Sequence, residues 1–394
     1  MESRIIMILT RKQEEGLKIA VQRYMSKEPY TCISGYAGTG KSTLVNFIIS
    51  FLDIPEHLIA YIAYTGKAAQ VLKNKGCPGA MTAHRLLYQS FPRKDGTFVH
   101  IPYESLGPLQ LIIVDEVSML PKDMWDLLLS HKIHVIALGD PGQLPPVMAE
   151  QHGILDHPHI FLDEIMRQAQ ESEIIRLTMD IREGRGLTLQ SGMEVRVVDQ
   201  SELLKPGFLS WADQIICGKN MTRASINRFM RQEIMSFDTD EPVVGDRIIC
   251  LRNNWDIINA DGDSLVNGLS AKIDNVKYTF ENPWMKKTPI ITFTPEWDGA
   301  KPFIDIEADY KLFTESEPTV NRDNFKKIPK WLKPNEFDYG YAITCHKSQG
   351  SEYDKVIVLE EYLKGDSKEE HQRWLYTAAT RAAKKLIVVR NYRP

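Results

Sequence analysis

The chain has 394 residues, 43% of them hydrophobic and 25% charged, an ordinary globular balance with room for two to four domains. A formal net charge of -4 argues against a protein that holds polyanions by bulk basicity, though not against one with a local basic groove. No stretch approaches the roughly 20 apolar residues of a membrane span, and the apolar run over 5–9 is shorter than a secretory signal core. The cysteines, Cys32, Cys77, Cys217, Cys250 and Cys345, stand too far apart for a zinc-type pair and read as free thiols of a reducing compartment. The expected location is cytoplasmic, or the host cytoplasm if the chain is viral.

Strand-length apolar runs cover 30–34, 58–63, 111–114 and 134–138, and a turn and a longer amphipathic segment follow each. That rhythm predicts a parallel sheet covered by helices. It breaks between 87 and 110, where Asp95-Gly96 sits among alternating residues over 91–101 and predicts a hairpin. A surface hairpin without a role is one reading of it. A second αβ region is expected from about 155, with a helix over 171–183, a strand over 214–217 and a helix over 224–235. From 263 to 336 the texture turns to Pro, Trp, Thr and short β-prone runs at 290–294 and 303–306, which predicts a small inserted β-domain. The αβ texture returns at 337 and ends on a strand over 385–390. The resulting division is 1–154 with a hairpin insertion at 88–108, then 155–262, the β-insert 263–336, and 337–394.

Gly35-Tyr36-Ala37-Gly38-Thr39-Gly40-Lys41-Ser42 fits the phosphate-loop pattern G-x-x-x-x-G-K-[ST]. An apolar run precedes it and a helix-like segment, 43–52, follows. The glycines let backbone N–H groups close around phosphates at a helix start. Lys41 is placed to reach the outer phosphates and Ser42 to hold Mg²⁺. The run 111–114 ends in Asp115-Glu116, which suits the same chemistry: Asp115 for the hydrated Mg²⁺ and Glu116 to take a proton from attacking water.

Further motifs go beyond generic nucleotide binding. Asp115-Glu116-Val117-Ser118-Met119 and Gly139-Asp140-Pro141-Gly142-Gln143-Leu144-Pro145-Pro146-Val147 resemble motifs II and III of superfamily 1 helicases. Leu9-Thr10-Arg11-Lys12-Gln13 resembles the family's Q motif, Tyr64-Thr65-Gly66-Lys67-Ala68-Ala69 motif Ia, and Thr82-Ala83-His84-Arg85-Leu86-Leu87 motif Ib. Leu162-Asp163-Glu164-Ile165-Met166-Arg167-Gln168 is similar to motif IV, Thr344-Cys345-His346-Lys347-Ser348-Gln349-Gly350-Ser351-Glu352 to motif V, and Tyr376-Thr377-Ala378-Ala379-Thr380-Arg381-Ala382 to motif VI. In the family's order, they resemble the 5′-to-3′, RecD-like branch. Two departures stand out: Tyr64 replaces the Pro common in motif Ia, and the chain is short for the branch.

The resemblance implies an α/β fold of two RecA-like phosphate-loop domains, with a pin hairpin inserted in the first and a small β-barrel in the second. It implies ATP and Mg²⁺ as cofactors. Gln13 is expected at the adenine edge, with helix capping as its alternative, and Glu352 at the ribose. Gly38, Thr39, Gly40, Lys41, Ser42, Thr43 and Gly350 complete the expected ATP site. Gln143 would position water or sense the γ-phosphate. Arg167 and Arg381 would reach that phosphate from the second domain, so that hydrolysis depends on closure.

Single-stranded DNA and duplex junctions are the expected partners. The implied contacts are Thr65, Lys67 and His84 on the first domain, Phe98 on the pin, and Asn227, Thr344 and His346 on the second. Hydroxyls, amides and N–H groups can hold phosphates without overall basicity. A buried structural role for His84 or His346 is the competing reading. The branch implies 5′-to-3′ translocation and unwinding by a monomer, with replication or recombination proteins as possible partners. Alternatives are a DNA-stimulated ATPase that strips proteins, an RNA motor, or a nucleotide-gated DNA-binding subunit.

Overall fold

A computed structural model of the chain describes residues 9–92, 98–145, 153–280, 287–297, 299–314, 334–363 and 365–393. The first sheet is parallel throughout. Its strands are β1 (Tyr30–Gly35), β2 (Ile59–Ala63), β3 (Met81–Thr82), β6 (Leu111–Val114), β7 (His134–Gly139) and β8 (Ile160–Leu162), in the order β3-β2-β6-β7-β1-β8. Every residue of β2, β6 and β7 is buried, as in a sheet covered on both faces. One face packs Ile33, Ile136 and Leu138 against Leu44, Ile48 and Leu72 of helices α2 (Lys41–Leu52) and α3 (Gly66–Asn74). Helix α1 (Arg11–Met25) covers the same face. The other face packs Cys32, Ile112 and Val135 against Leu87 of α4 (Ala83–Leu87) and Trp125 of α5 (Lys122–Ser130). In the chain between α4 and β6, β4 (Tyr88–Pro92) and β5 (Phe98–Pro102) pair as a separate antiparallel hairpin; the Asp95-Gly96 turn lies outside the described residues.

Strand β8 moves the domain boundary. Ile33 pairs with Ile160, so the first sheet continues beyond 154, where the sequence reading ended it. Short helix α6 (Arg167–Gln170) follows, and α7 (Glu173–Arg182) already packs Ile174, Leu177 and Ile181 into the second core. The junction therefore falls between 162 and 173.

The second sheet runs β19-β11-β20-β21-β10-β9, from β9 (Gln190–Ser191), β10 (Val195–Val198), β11 (Gln214–Cys217), β19 (Ala342–Thr344), β20 (Tyr353–Leu359) and β21 (Ala382–Val389). All its pairings are parallel except β9 with β10. Helices α8 (Asn220–Phe229), α10 (Cys345–Ser348) and α11 (Lys368–Ala379) belong to it. Buried Glu361 fixes the start of α8: its carboxylate accepts from Gly218 N–H, Lys219 N–H and the Thr222 hydroxyl.

The insert is wider than 263–336. Its five antiparallel strands are β12 (Arg247–Cys250), β15 (Ser270–Thr279), β16 (Thr288–Pro295), β17 (Phe303–Glu307) and β18 (Phe337–Tyr339), in the order β17-β16-β15-β12-β18. A parallel bridge from Ala308 to Asn335 brings the two edges together, so the sheet curls towards a small barrel. A side ribbon, β13 (Asn254–Ile258) with β14 (Ser264–Leu265), projects from it, and α9 (Tyr310–Thr314) follows β17. Phe293, Phe303 and Phe337 share one core with Ile215 and Ile357 of the second sheet, so the insert is fused to that domain. Trp297 packs on this core; Trp284 and Trp331 lie outside the described residues.

The expected helix 224–235 begins earlier, at Asn220, and ends as a π-helical turn, Met230–Ile234, that carries Arg231. Its guanidinium is buried and bonded to Asp246 through Nε at 2.9 Å and Nη2 at 3.0 Å, and to the carbonyls of Thr239 and Glu241. Such a pair adds little against an apolar substitute, but losing one partner strands the other charge. Asp246→Ala is therefore expected to lower unfolding stability by about 3–5 kcal/mol in urea titrations. A change below about 1 kcal/mol would show that the pair does not anchor the insert.

Candidate nucleotide site and interdomain cleft

The phosphate loop closes the turn between β1 and α2. Gly38 and Gly40 hold φ of +77° and +78°, the left-handed region that glycine occupies without strain. A Cβ on Gly40 would also lie 2.3 Å from Met166 Sδ and 2.4 Å from Gln13 Nε2, so two side chains crowd the loop from outside. Met166, just before α6, donates its N–H to Gly38 O at 3.0 Å. The Thr43 hydroxyl faces Met166 Sδ at 3.9 Å. Lys41 Nζ donates to Gly35 O at 2.6 Å and Tyr36 O at 3.1 Å.

Gln13 is buried and does two jobs. Its Oε1 accepts from Thr10 N–H at 2.9 Å in a capping box, and its Nε2 donates to Thr39 O at 3.2 Å and Gly40 O at 3.4 Å. The capping alternative is thus present in the geometry, joined to a direct hold on the phosphate loop.

Asp115 and Glu116 leave the end of β6 facing that loop. Glu116 has φ +50°, an uncommon backbone state for a non-glycine residue and one that clusters at functional sites. Its N–H donates to Asp115 Oδ1 at 3.0 Å. Burial pushes the Asp115 carboxyl up from the usual range, the Glu116 charge pushes it further, and Lys41 opposes both. Gln143 Nε2 donates to Glu116 Oε1 at 3.3 Å.

The second domain completes the cleft. Arg381 is buried; it donates from Nε to Thr377 O at 3.0 Å and from Nη1 to Ser351 O at 3.3 Å, with Nη1 3.9 Å from Glu116 Oε1. Glu116 therefore lies between an amide of its own domain and a guanidinium of the other. Gly350, at φ +69°, comes within reach of α3: a Cβ there would be 3.2 Å from Ala68 Cβ. Glu352 pairs with Lys75 at 2.6 Å across the same seam, which places it at the end of α3. Arg167 begins α6, directly after Met166, the partner of the Gly38–Gly40 turn, and its side chain lies outside the described residues.

The donor set suits Mg²⁺. This cation keeps most of its waters and takes one or two protein oxygens beside phosphate oxygens. One hydroxyl, Ser42, and one carboxylate whose charge is disfavoured by burial, Asp115, are such a set. Among the described residues no cluster of three His, Cys, Asp or Glu side chains offers a competing metal site.

Comparison with known proteins places the chain among helicases. An AAA domain model matches residues 9–200, and a UvrD-like helicase C-terminal domain model matches 339–389. The chain is 22% identical to the ATP-dependent DNA helicase Dda of Enterobacteria phage T4, over 95% of this chain and 97% of Dda. The chain belongs to the superfamily 1 helicases. It is 34% identical to the ATP-dependent RecD2 DNA helicase of Deinococcus radiodurans over 39% of this chain and 21% of RecD2. The Bacteroides Pif1 helicase in complex with ADP-AlF3 and ssDNA shares the fold: TM-score 0.52, 18% identity, covering 97% of this chain and 92% of that one.

In this helicase the expected strand contacts do not behave alike. Thr65, Lys67 and His346 line one cleft between the domains, with Tyr64, Asn253, Asn267 and Lys347. Lys67 Nζ sits 3.7 Å above the Tyr353 ring, across the domain seam. Thr344 precedes α10 and its side chain makes no capping bond. Asn227 corrects the sequence reading: it is buried, donates to Tyr339 O and Ala342 O, and accepts from Ala342 N–H, so its amide serves the backbone and has no face for a strand. The neighbouring Arg223 is half-enclosed and paired with Asp338. The side chain of Phe98 lies outside the described residues; its backbone pairs with Pro92 at the far end of the hairpin ladder.

His84 is spoken for by protein. It stacks on Trp255 of β13, centroids 3.9 Å apart and planes 4° apart, and on Tyr88 at 4.7 Å. Around it His100 of β5 lies 3.4 Å from Asp256, and Arg85 lies 3.6 Å from Asp263. The base of the hairpin is thus fastened to the side ribbon of the insert. Nothing in the sequence singled out Trp255, because a tryptophan two residues from a polar turn reads as core.

Burial, with the nearby His100, holds the His84 imidazole down at about 4. The folded state keeps it neutral, while the unfolded chain takes up a proton below its ordinary value near 6.5. Stability from this site is full above about pH 6.5 and drains away as pH falls towards 4, by up to about 3 kcal/mol. Wild type is expected to lose more unfolding free energy than His84→Phe over that window. Parallel pH profiles for the two would show that the stack tolerates a charge.

Proposed function

We propose that the chain couples ATP hydrolysis between its two RecA-like domains to 5′-to-3′ movement on single-stranded DNA and to separation of duplex ahead of it. The observation that carries this is the meeting at Glu116. The carboxylate suited to activating water is held by Gln143 from one domain and approached at 3.9 Å by Arg381 from the other. A nucleotide on the phosphate loop would have its outer phosphate at this junction. Lys41 and Arg381 would balance the charge that builds on the equatorial oxygens, Glu116 would take the proton of the attacking water, and Gln143 would orient it. When bound, Mg²⁺ on Ser42 and Asp115 supplies further neutralisation of phosphate charge.

Movement follows from where the strand contacts sit. Thr65 and Lys67 begin α3 of the first domain, while Thr344 and His346 flank the start of α10 of the second. A cleft that closes on ATP and reopens after hydrolysis changes the spacing between these two sets. Alternating grip in the two states then gives a net step. The hairpin strand β5 at His100, and the preceding helix α4 at His84 and Arg85, are fastened to the insert, which places the hairpin where a junction could be split. The similarity to the DNA helicases Dda and RecD2 supports DNA as the track, and the 5′-to-3′ direction rests on the motifs' resemblance to the RecD-like branch.

Two measurements test the reading. Strand separation with ATP and Mg²⁺ is expected on a duplex with a 5′ single-stranded tail and not on one with a 3′ tail; the reverse preference would overturn the polarity. Lys41→Ala is expected to abolish ATP turnover, and a variant that still hydrolyses would remove the nucleotide from the phosphate loop.

A further inference from the structure

One buried group in the cleft has no part in the chemistry just described. Tyr376 stands on α11 and is 2% exposed. Its hydroxyl accepts from Ala37 N–H of the phosphate loop at 2.8 Å and donates to Asp140 Oδ2 at 2.8 Å. Both partners belong to the first domain; the tyrosine belongs to the second. Asp140 passes the hold on, since its Oδ1 accepts from Gly142 N–H at 2.9 Å. The approach depends on Gly142 having no side chain, because a Cβ there would lie 3.0 Å from Tyr376 Cε1.

The next residue, Thr377, repeats the pattern. Its hydroxyl oxygen accepts from Leu144 N–H at 2.8 Å, and Gln349 Nε2 donates to Leu144 O at 2.7 Å. Gln143, the residue that reaches Glu116, therefore sits in a short loop fastened on both sides by the opposite domain. The Thr377 carbonyl in turn accepts from Arg381 Nε. One turn of helix thus touches the phosphate loop, the loop carrying Gln143, and the arginine.

We infer that Tyr376 and Thr377 are positioning residues for hydrolysis: when the domains meet, their two hydroxyls set the phosphate loop and the Gln143 loop in register with Arg381, which the Thr377 carbonyl holds. The inference rests on the proposed ATP-hydrolysing function. Hydroxyls suit the task because each accepts from one backbone N–H of the first domain and still places its own proton, Tyr376 on Asp140 and Thr377 on the Arg373 carbonyl of its own helix. Small errors matter here, since a displacement of about 1 Å of a catalytic group can cost about a hundredfold in rate. Neither side chain touches the reacting atoms, so their loss acts on turnover rather than on nucleotide affinity.

The test is steady-state ATP hydrolysis by the full chain, with saturating oligo(dT), for wild type, Tyr376→Phe, Thr377→Val and Thr377→Ser. Tyr376→Phe removes one oxygen and is expected to lower kcat about tenfold or more, with KM for ATP within about threefold of wild type. Thr377→Val is expected to fall in the same way, and Thr377→Ser, which restores the hydroxyl, to stay within about twofold of wild type. Turnover by Tyr376→Phe equal to wild type, or a loss carried by KM alone, would overturn the inference. Should Tyr376→Phe fold poorly, equal rates for Thr377→Val and Thr377→Ser would overturn it instead. Wild-type turnover separates the two levels: if wild type hydrolyses ATP and the variants match it, only the positioning role falls, whereas no wild-type turnover removes both.

Discussion

A phosphate loop can hold a nucleotide, but it cannot by itself place positive charge on the far side of the outermost phosphate. The loop wraps from below, and its N–H groups and Lys41 all come from one direction. Charge opposite has to be supplied by another part of the protein. In the proposed reaction Arg381 supplies it from the second domain. Because a buried guanidinium is costly unless paired, it is held by the Thr377 and Ser351 carbonyls while it faces Glu116. A site divided in this way would exist only when the domains meet, which would tie the proposed chemistry to relative motion.

The domains meet through two seams of different character. At the nucleotide end the contacts are buried and directional: Tyr376 and Thr377 against the loops, and Gln349 against Leu144. At the other end an aromatic stack, His84 on Trp255, fastens the hairpin base to the insert, with only part-exposed ion pairs around it. Exposed pairs of that kind contribute about 1 kcal/mol at most, so the stack and its desolvation dominate there. The insert in turn stays fixed because its phenylalanines share the second domain's core.

Much of this was readable from sequence where local pattern and burial agree. The runs at 111–114 and 214–217 match β6 and β11 residue for residue, since Asp115 ends the first and Asp213 and Gly218 flank the apolar centre of the second. The phosphate loop and Asp115-Glu116 were equally plain, because their chemistry tolerates few alternatives. The failures have physical causes. Ile160-Phe161-Leu162 is too short to register as a strand, so the first domain was ended too early. The Ile248-Ile249-Cys250 run of β12 looks like a parallel core strand, which hid the start of the insert. Asn227 shows its amide only to backbone at Tyr339 and Ala342, more than a hundred positions away, and no local pattern reveals such a partner. The same distance concealed the pairing of Tyr376 with Ala37, though the tyrosine stood inside a recognised motif.

The most direct test of a divided active site is Arg381→Ala, assayed separately for nucleotide binding and hydrolysis. Binding of a fluorescent ATP analogue is expected to stay within a few-fold of wild type, while hydrolysis falls by about a thousandfold, the effect typical of an arginine supplied to a γ-phosphate. Hydrolysis at the wild-type rate would contradict the account, because the first domain alone would then suffice for the chemistry.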